Sequence, residues 1–234
     1  MPQSDQNTLK NRLLSALPQE DLQHSFSNLH LVSLEIRQII YAVGAPFDFV
    51  YFIERGLASV LTTMTDGSAI EVGMIGIEGM VGVSCLLGAE VAAQQIICQI
   101  PGTALRMDAV ACKTAFDQSA SVRKVVHRFA ESFLNLSAQT AACNRLHSIE
   151  QRCARWLLMS SDRIQSDIMP MTHEFLSSMI GVRRASVTEV AGELQRSGLI
   201  RYHHGQITIT DHRGLEATAC ECYQMDHDRF SRLM

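Results

Sequence analysis

Residues 172–198 constrain this chain most, because two short amphipathic helices and the turn between them are specified there almost position by position. Thr172 can cap a helix whose first turn carries Glu174, a favourable charge at a helix N-terminus. Phe175, Leu176, Met179 and Ile180 give that helix an apolar stripe. Gly181 permits a tight turn, and Val182 supplies an apolar plug behind it. Val187, Val190, Ala191 and Leu194 then recur at i, i+3, i+4 and i+7, and Gly198 ends the second helix. Helix, glycine-containing turn, helix is the unit that enters the major groove of DNA.

With the apolar stripe turned inward, the N-terminal part of the second helix presents Arg183, Arg184, Ala185, Ser186, Thr188 and Glu189 as candidates for base and phosphate contact, beside Thr172. Arginine can donate two hydrogen bonds to guanine, and the hydroxyls suit phosphate or base edges. Glu189 has two readings, accepting from cytosine or closing a capping box with Ser186. Beyond Gly198, Leu199–Arg201 and Gln206–Thr210 alternate like strands around His203-His204-Gly205, the pattern of a hairpin wing. Adjacent histidines project differently and no third ligand is spaced for them, so they read as a phosphate-contacting tip rather than a metal site. Bulk charge does not announce a nucleic-acid binder. The net charge is −4, and from Leu146 onward ten Arg face eleven Asp and Glu, so DNA affinity must come from a local basic face.

Upstream, residues 35–107 are short runs of β-formers: Ile36–Val43, Phe49–Glu54, Leu57–Thr63, Ile70–Ile75, Gln95–Ile100 and Thr103–Met107. Gly44, Pro46, Gly56, Asp66-Gly67, Gly88 and Pro101-Gly102 punctuate them, the signature of an antiparallel sandwich or jelly roll. Leu9–Phe26 precedes it as a short helical lead-in. From Ser121 the period changes. Val122, Val126, Phe129, Phe133, Leu136, Thr140 and Cys143 follow at alternating steps of four and three, as in a seam where a long helix pairs with its twin. Packing of that stripe on its own domain is the alternative. A further helix over Ser148–Ser160 opens with a Ser148/Gln151 capping box.

These readings divide the chain into a β-rich domain over 1–118, a pairing helix over 119–145 and a DNA-binding domain over 146–234. No run of apolar residues is long enough to span a membrane, and the polar stretch Met1–Asn11 has no signal-peptide core, so a cytoplasmic protein is expected. Seven cysteines are scattered without a CxxC pair and read as free thiols. Cys220 and Cys222 could be a redox pair or a metal site, but a bridge across one residue is strained and inert thiols are expected.

The β-rich half, the seam helix and the winged helix-turn-helix, in that order, resemble the Crp/Fnr family of bacterial transcription regulators over about Leu29–Asp211. Tyr51-Phe52-Ile53 with Gly56, and Gly181–Ile200, carry the resemblance best. It implies an α+β chain: an N-terminal cyclic-nucleotide-binding-like jelly roll, a dimerisation helix and a C-terminal winged helix-turn-helix. It also implies a homodimer on palindromic double-stranded DNA, with RNA polymerase as a partner. Arg184 matches the family's guanine-reading arginine. Ala185 stands where many members carry a base-contacting glutamate, and Glu189 where the cyclic-AMP-type members carry a second arginine. The effector pocket departs further: Gly82 is followed by Val83 and Ser84 instead of an acid, and Ala93 and Gln94 stand where a phosphate-binding arginine belongs. A phosphate without a cation or a nest of donors has little reason to bind, so the signal is expected not to be cyclic AMP. An N-terminal iron–sulfur cluster cannot be placed, since no cysteine precedes Cys85. No cofactor is expected; haem with His24, His30, His127 or one of several Met as axial ligand is the alternative.

Two other classes compete. A cupin-like enzyme would need clustered histidine and carboxylate ligands on its strands, and residues 35–108 contain no histidine. No catalytic residue is therefore assigned. A module that recruits a protein through the long helix without touching DNA would leave the filled helix-turn-helix pattern unexplained.

Overall fold

The structure, a computed structural model, describes residues 9–232, so most of the polar N-terminal stretch lies outside the described residues. It contains two compact units. The first takes in the chain up to Val60, Met74–Leu134 and the residues from Phe230, and the second Leu61–Gly73 and Asn135–Arg229. Among the described residues, no helix is long and apolar enough to cross a membrane.

The helical lead-in is two pieces, α1 (Arg12–Ser15) and α2 (Gln19–Ser25), split at Pro18. Asn11 explains why α1 sits where it does. Its fully buried side chain accepts from the Leu14 amide and donates to the carbonyls of Ile53 and Gly79, while the Glu54 carboxylate receives the amides of Lys10 and Asn11. Six strands follow: β1 (His30–Leu34), β2 (Ile39–Tyr41), β3 (Phe49–Thr63), β4 (Ala69–Ile75), β5 (Met80–Val81) and β6 (Gln95–Asp108). They form one sheet in the order β1-β6-β3-β4, with β2 also paired to β6 and β5 to β3.

Two expected breaks are not breaks. Gly56 lies inside β3 and Pro101-Gly102 inside β6, because the two long strands approach each other there. A Cβ on Gly56 would stand 2.9 Å from the Pro101 carbonyl oxygen, and one on Gly102 would stand 2.8 Å from the Gly56 nitrogen. Glycine serves close backbone approach here, and Gly56 also holds φ +88°. Strand β1 and the helices α3 (Val83–Leu86) and α4 (Ala109–Gln118) were not foreseen, α4 being capped by the Asp108 carboxylate on the Ala111 amide.

The long helix α5 runs Ala120–Leu146, as the change of period predicts, but its stripe faces inward. Val122, Val126, Phe129 and Leu136 are buried within the single chain. Val122 and Val126 line an apolar hollow with Leu13, Leu17, Phe26, Phe52 and Cys112. Phe129 lies so close to Gly79 that any larger residue there would meet its ring. Phe133 packs beside Phe129, and Thr140 accepts a hydrogen bond from Arg155 at 3.3 Å. Four of the six stripe residues are thus already buried within one chain, while Phe133 and Thr140 stay half-exposed. A periodicity of four and three reports which face is buried without saying against what.

The second unit is built on α6 (Ile149–Ile164), opened by the expected Ser148/Gln151 capping box. Around it stand β7 (Ile168–Pro170), α7 (His173–Ile180), α8 (Arg184–Arg196), β8 (Ile200–His203), β9 (Gln206–Ile209), α9 (His212–Thr218) and α10 (Cys222–Arg232). A three-stranded sheet β7-β9-β8 supplies the wing. Leu157, Leu158, Leu176, Leu194, Ile207 and Leu215 form its fully buried centre. The tip of the β3–β4 hairpin also belongs here: Trp156 donates to the buried Glu71 carboxylate at 2.9 Å, and Ile70 packs on Gly181.

Candidate nucleic-acid interface

Helix α7 starts where the sequence places it, with the Thr172 hydroxyl accepting from the Phe175 amide at 3.2 Å. It ends at Gly181 in the left-handed conformation, φ +66°, whose amide bonds the Ser177 carbonyl. Leu176, Met179 and Ile180 are buried, and Phe175 is half-buried. Val187, Val190, Ala191 and Leu194 anchor α8, which leaves Arg183, Arg184, Ala185, Thr188 and Glu189 exposed on its outer face and Ser186 half-exposed. Among the described residues the side chains of Arg183, Arg184 and Glu189 have no hydrogen-bond or ion-pair partner. Two arginines held in the open at a helix start are free to meet phosphate or guanine.

Two assignments are sharpened. Arg183 is the N-cap of α8 and Ser186 lies inside the helix, so the Ser186/Glu189 capping box is not formed. The Thr188 hydroxyl donates to the Arg184 carbonyl at 3.0 Å, and the His173 ring nitrogen Nδ1 stands 3.2 Å from the Thr188 hydroxyl oxygen. Because the hydroxyl hydrogen is already used, His173 Nδ1–H is the donor in that second contact. His173 was missed by sequence reading, being fifteen residues from its partner. It stacks on Tyr202, ring centroids 4.2 Å apart, and so ties α7 to both α8 and the wing. Burial, and then the Arg184 charge, hold the His173 imidazole below its ordinary pKa.

The wing turns at His204 (φ 47°) and Gly205 (φ 75°), two left-handed residues in succession, as a tight hairpin requires. His203 and His204 are exposed with rings 4.0 Å apart, and no third ligand joins them among the described residues. The Met171 amide bonds the Gly205 carbonyl at 2.7 Å, setting the wing turn beside Thr172 and the start of α7. Gln195 on α8 accepts from the Tyr202 amide at 2.7 Å, which ties that helix to the first strand of the wing.

In the β-domain, Gly82 (φ +96°) precedes the four-residue α3, and Val83 is half-buried beside exposed Ser84. Ala93 and Gln94 lie exposed ahead of β6. None of these five positions carries an ionisable group. His24, His30 and His127, the candidate haem ligands, are all exposed; His24 contacts the Glu20 carbonyl at 2.8 Å, and His127 packs edge-on against Phe116.

Comparison with known proteins gives two family matches in chain order, a cyclic nucleotide-binding domain over residues 31–119 and a Crp-like helix-turn-helix domain over 151–218. The transcriptional regulator SdrP of Thermus thermophilus is 40% identical over 52 residues, a segment spanning 22% of this chain and 26% of that protein. A putative Crp/Fnr-family regulator of Eubacterium rectale superposes with a TM-score of 0.67 at 19% identity, over 89% of this chain and 98% of its own. FixK2 of Bradyrhizobium japonicum superposes with a TM-score of 0.70 at 15% identity, over 82% of this chain and 98% of its own. At such identities the superpositions speak for the fold, while the two domain matches in tandem speak for the kind of protein. This chain belongs to the Crp/Fnr family of transcription regulators.

Proposed function

We propose that the protein works as a homodimer on a two-fold symmetric DNA site, reading the major groove with the exposed start of α8 and touching phosphate with the wing. The observation that carries this reading is the pair Arg183 and Arg184, unpaired and exposed on a helix whose opposite face is locked into the core. Arg184 reads a guanine; Ala185 and Glu189 give the operator a sequence of its own. RNA polymerase is its expected partner at promoters.

The dimer forms through the outward strip of α5. His127, Glu131, Leu134, Ala138, Ala141 and Arg145 are exposed at alternating steps of four and three, and Leu134, at 70% exposure, is the large apolar group at its centre. The regulatory signal is neither cyclic AMP nor a haem ligand. Val83 offers no carboxylate to a ribose, Ala93 and Gln94 offer no cation to a phosphate, and the three histidines are spread over the surface.

Fluorescence anisotropy against a selected operator tests the recognition role. Arg184→Ala loses about 1–3 kcal/mol of discrimination against the base it reads, the range for one bidentate contact, while the dimer persists. Unchanged preference at every operator position would remove Arg184 from that role.

A further inference from the structure

The sequence leaves Cys220 and Cys222 as inert thiols, remote from other ligand-forming residues. The fold brings two more groups to them. Cys143 and His147 lie one turn apart where α5 ends, the His147 amide bonding the Cys143 carbonyl at 3.1 Å, so both side chains share a face. The turn between α9 and α10 carries Cys220 and Cys222 to that face, and Cys143, Cys220 and Cys222 form a buried cluster. The three sulfurs and one His147 nitrogen lie within 4.8 Å of one another.

We infer that Cys143, His147, Cys220 and Cys222 form a tetrahedral site for a single Zn2+ ion. Zinc bonds of about 2.3 Å to sulfur and 2.0–2.1 Å to nitrogen correspond to tetrahedral edges of about 3.8 Å between sulfurs and about 3.5 Å between sulfur and nitrogen. Two edges already have that length: Cys143 Sγ to Cys220 Sγ at 3.6 Å, and Cys222 Sγ to His147 Nδ1 at 3.6 Å. So compact a set has room for one ion and none for a polynuclear cluster. Three thiolates and an imidazole select a soft or borderline cation and close all four positions, the arrangement of a structural site.

The surroundings support the same assignment. His147 offers Nδ1 to the site while its Nε2 stands 3.2 Å from the Glu221 carboxylate, the outer partner that fixes the tautomer of a metal-bound histidine. The Gln139 amide donates to Cys222 Sγ at 3.0 Å, and the Arg155 guanidinium lies against Cys143, offsetting the excess negative charge of three thiolates on one divalent ion. A Cys143–Cys220 disulfide would account for one pair and leave Cys222, His147 and Glu221 without a role. The site lies wholly within the second unit and fastens α9 and α10 to the last turn of α5. It does not depend on the DNA-binding reading, and its test does not involve DNA.

The full chain, purified with a non-thiol reductant and freed of metal, is titrated with Zn2+ against a chromophoric chelator, then with Co2+. The expected result is one ion per chain, and a Co2+–thiolate charge-transfer band that falls by about a third in each of Cys143→Ser, Cys220→Ser and Cys222→Ser. Glu221→Gln weakens Zn2+ affinity about 10- to 100-fold while leaving the band in place, as loss of an outer-shell partner does. Cys153→Ser, at a fully buried thiol pushed up to about 12 by desolvation, keeps full binding. The inference is overturned if the reduced, folded wild-type chain takes up no Zn2+ against the chelator, or if Cys153→Ser loses as much binding as the cluster variants. The wild-type titration alone decides the matter should the serine variants fail to fold.

Discussion

His173 is the residue on which the candidate interface turns. Its ring is stacked on Tyr202 and bonded to Thr188, and burial together with the Arg184 charge keeps it neutral below its ordinary pKa. A histidine with a depressed folded-state value is protonated more readily in the unfolded chain, so its contribution to stability is intact above about pH 6.5 and is lost as pH falls toward the folded value. Urea midpoints at about pH 7.5 and about pH 5.5 should therefore drop more in the wild type than in His173→Gln; equal drops would deny the ring this role. The sequence places Thr188 on the outer face correctly yet gives no hint that its hydroxyl is already bonded inside the helix. Hydroxyl geometry depends on neighbours that spacing does not encode.

At the scale of elements, α6 and α10 share a buried ion pair. Arg155 bonds Asp226 through Nε at 3.1 Å and again through Nη2, Arg229 lies 3.6 Å away, and burial pushes the Asp226 carboxyl up against the pull of these cations. Arg155→Ala removes the two hydrogen bonds to that buried carboxylate and leaves Arg229 as its remaining ion-pair partner, and should cost about 3 kcal/mol in equilibrium unfolding, the low end for breaking a buried pair. A loss below 1 kcal/mol would mean that water reaches the pair. Helix α5 allows a paired test of its two faces. Leu136→Ala removes buried packing and should cost about 2–5 kcal/mol without altering the oligomer. Leu134→Glu should leave each fold intact and give monomers by sedimentation; the opposite pattern would restore the inward stripe to the dimer seam.

These elements also mark how far the sequence can be read. Helices α5, α7 and α8 and the wing were legible because caps, glycines and periodicity are local signals. Strands β3 and β6 were cut in two because Gly56 and Pro101-Gly102 look like turns when their partner, some 45 residues away, is invisible. The Cys143–His147–Cys220–Cys222 cluster was hidden for the same reason, since its halves come from opposite ends of the second unit.

For the molecule as a whole, a net charge of −4 means that DNA affinity has to come from a local basic face and not from bulk charge. Affinity should then fall steeply with salt, as it does wherever phosphate contacts dominate. The matched cyclic nucleotide-binding domain carries no ionisable group at Gly82, Val83, Ser84, Ala93 or Gln94, so millimolar cyclic AMP should change neither the melting temperature nor DNA affinity. A saturable shift would overturn that reading. The central claim, a dimer reading DNA through α8, is tested most directly by selecting bound sequences from a random duplex pool. The account predicts a two-fold symmetric motif with half-sites about one helical turn apart and a guanine whose preference disappears in Arg184→Ala. Failure to enrich any motif, or an asymmetric one indifferent to Arg184→Ala, would contradict it.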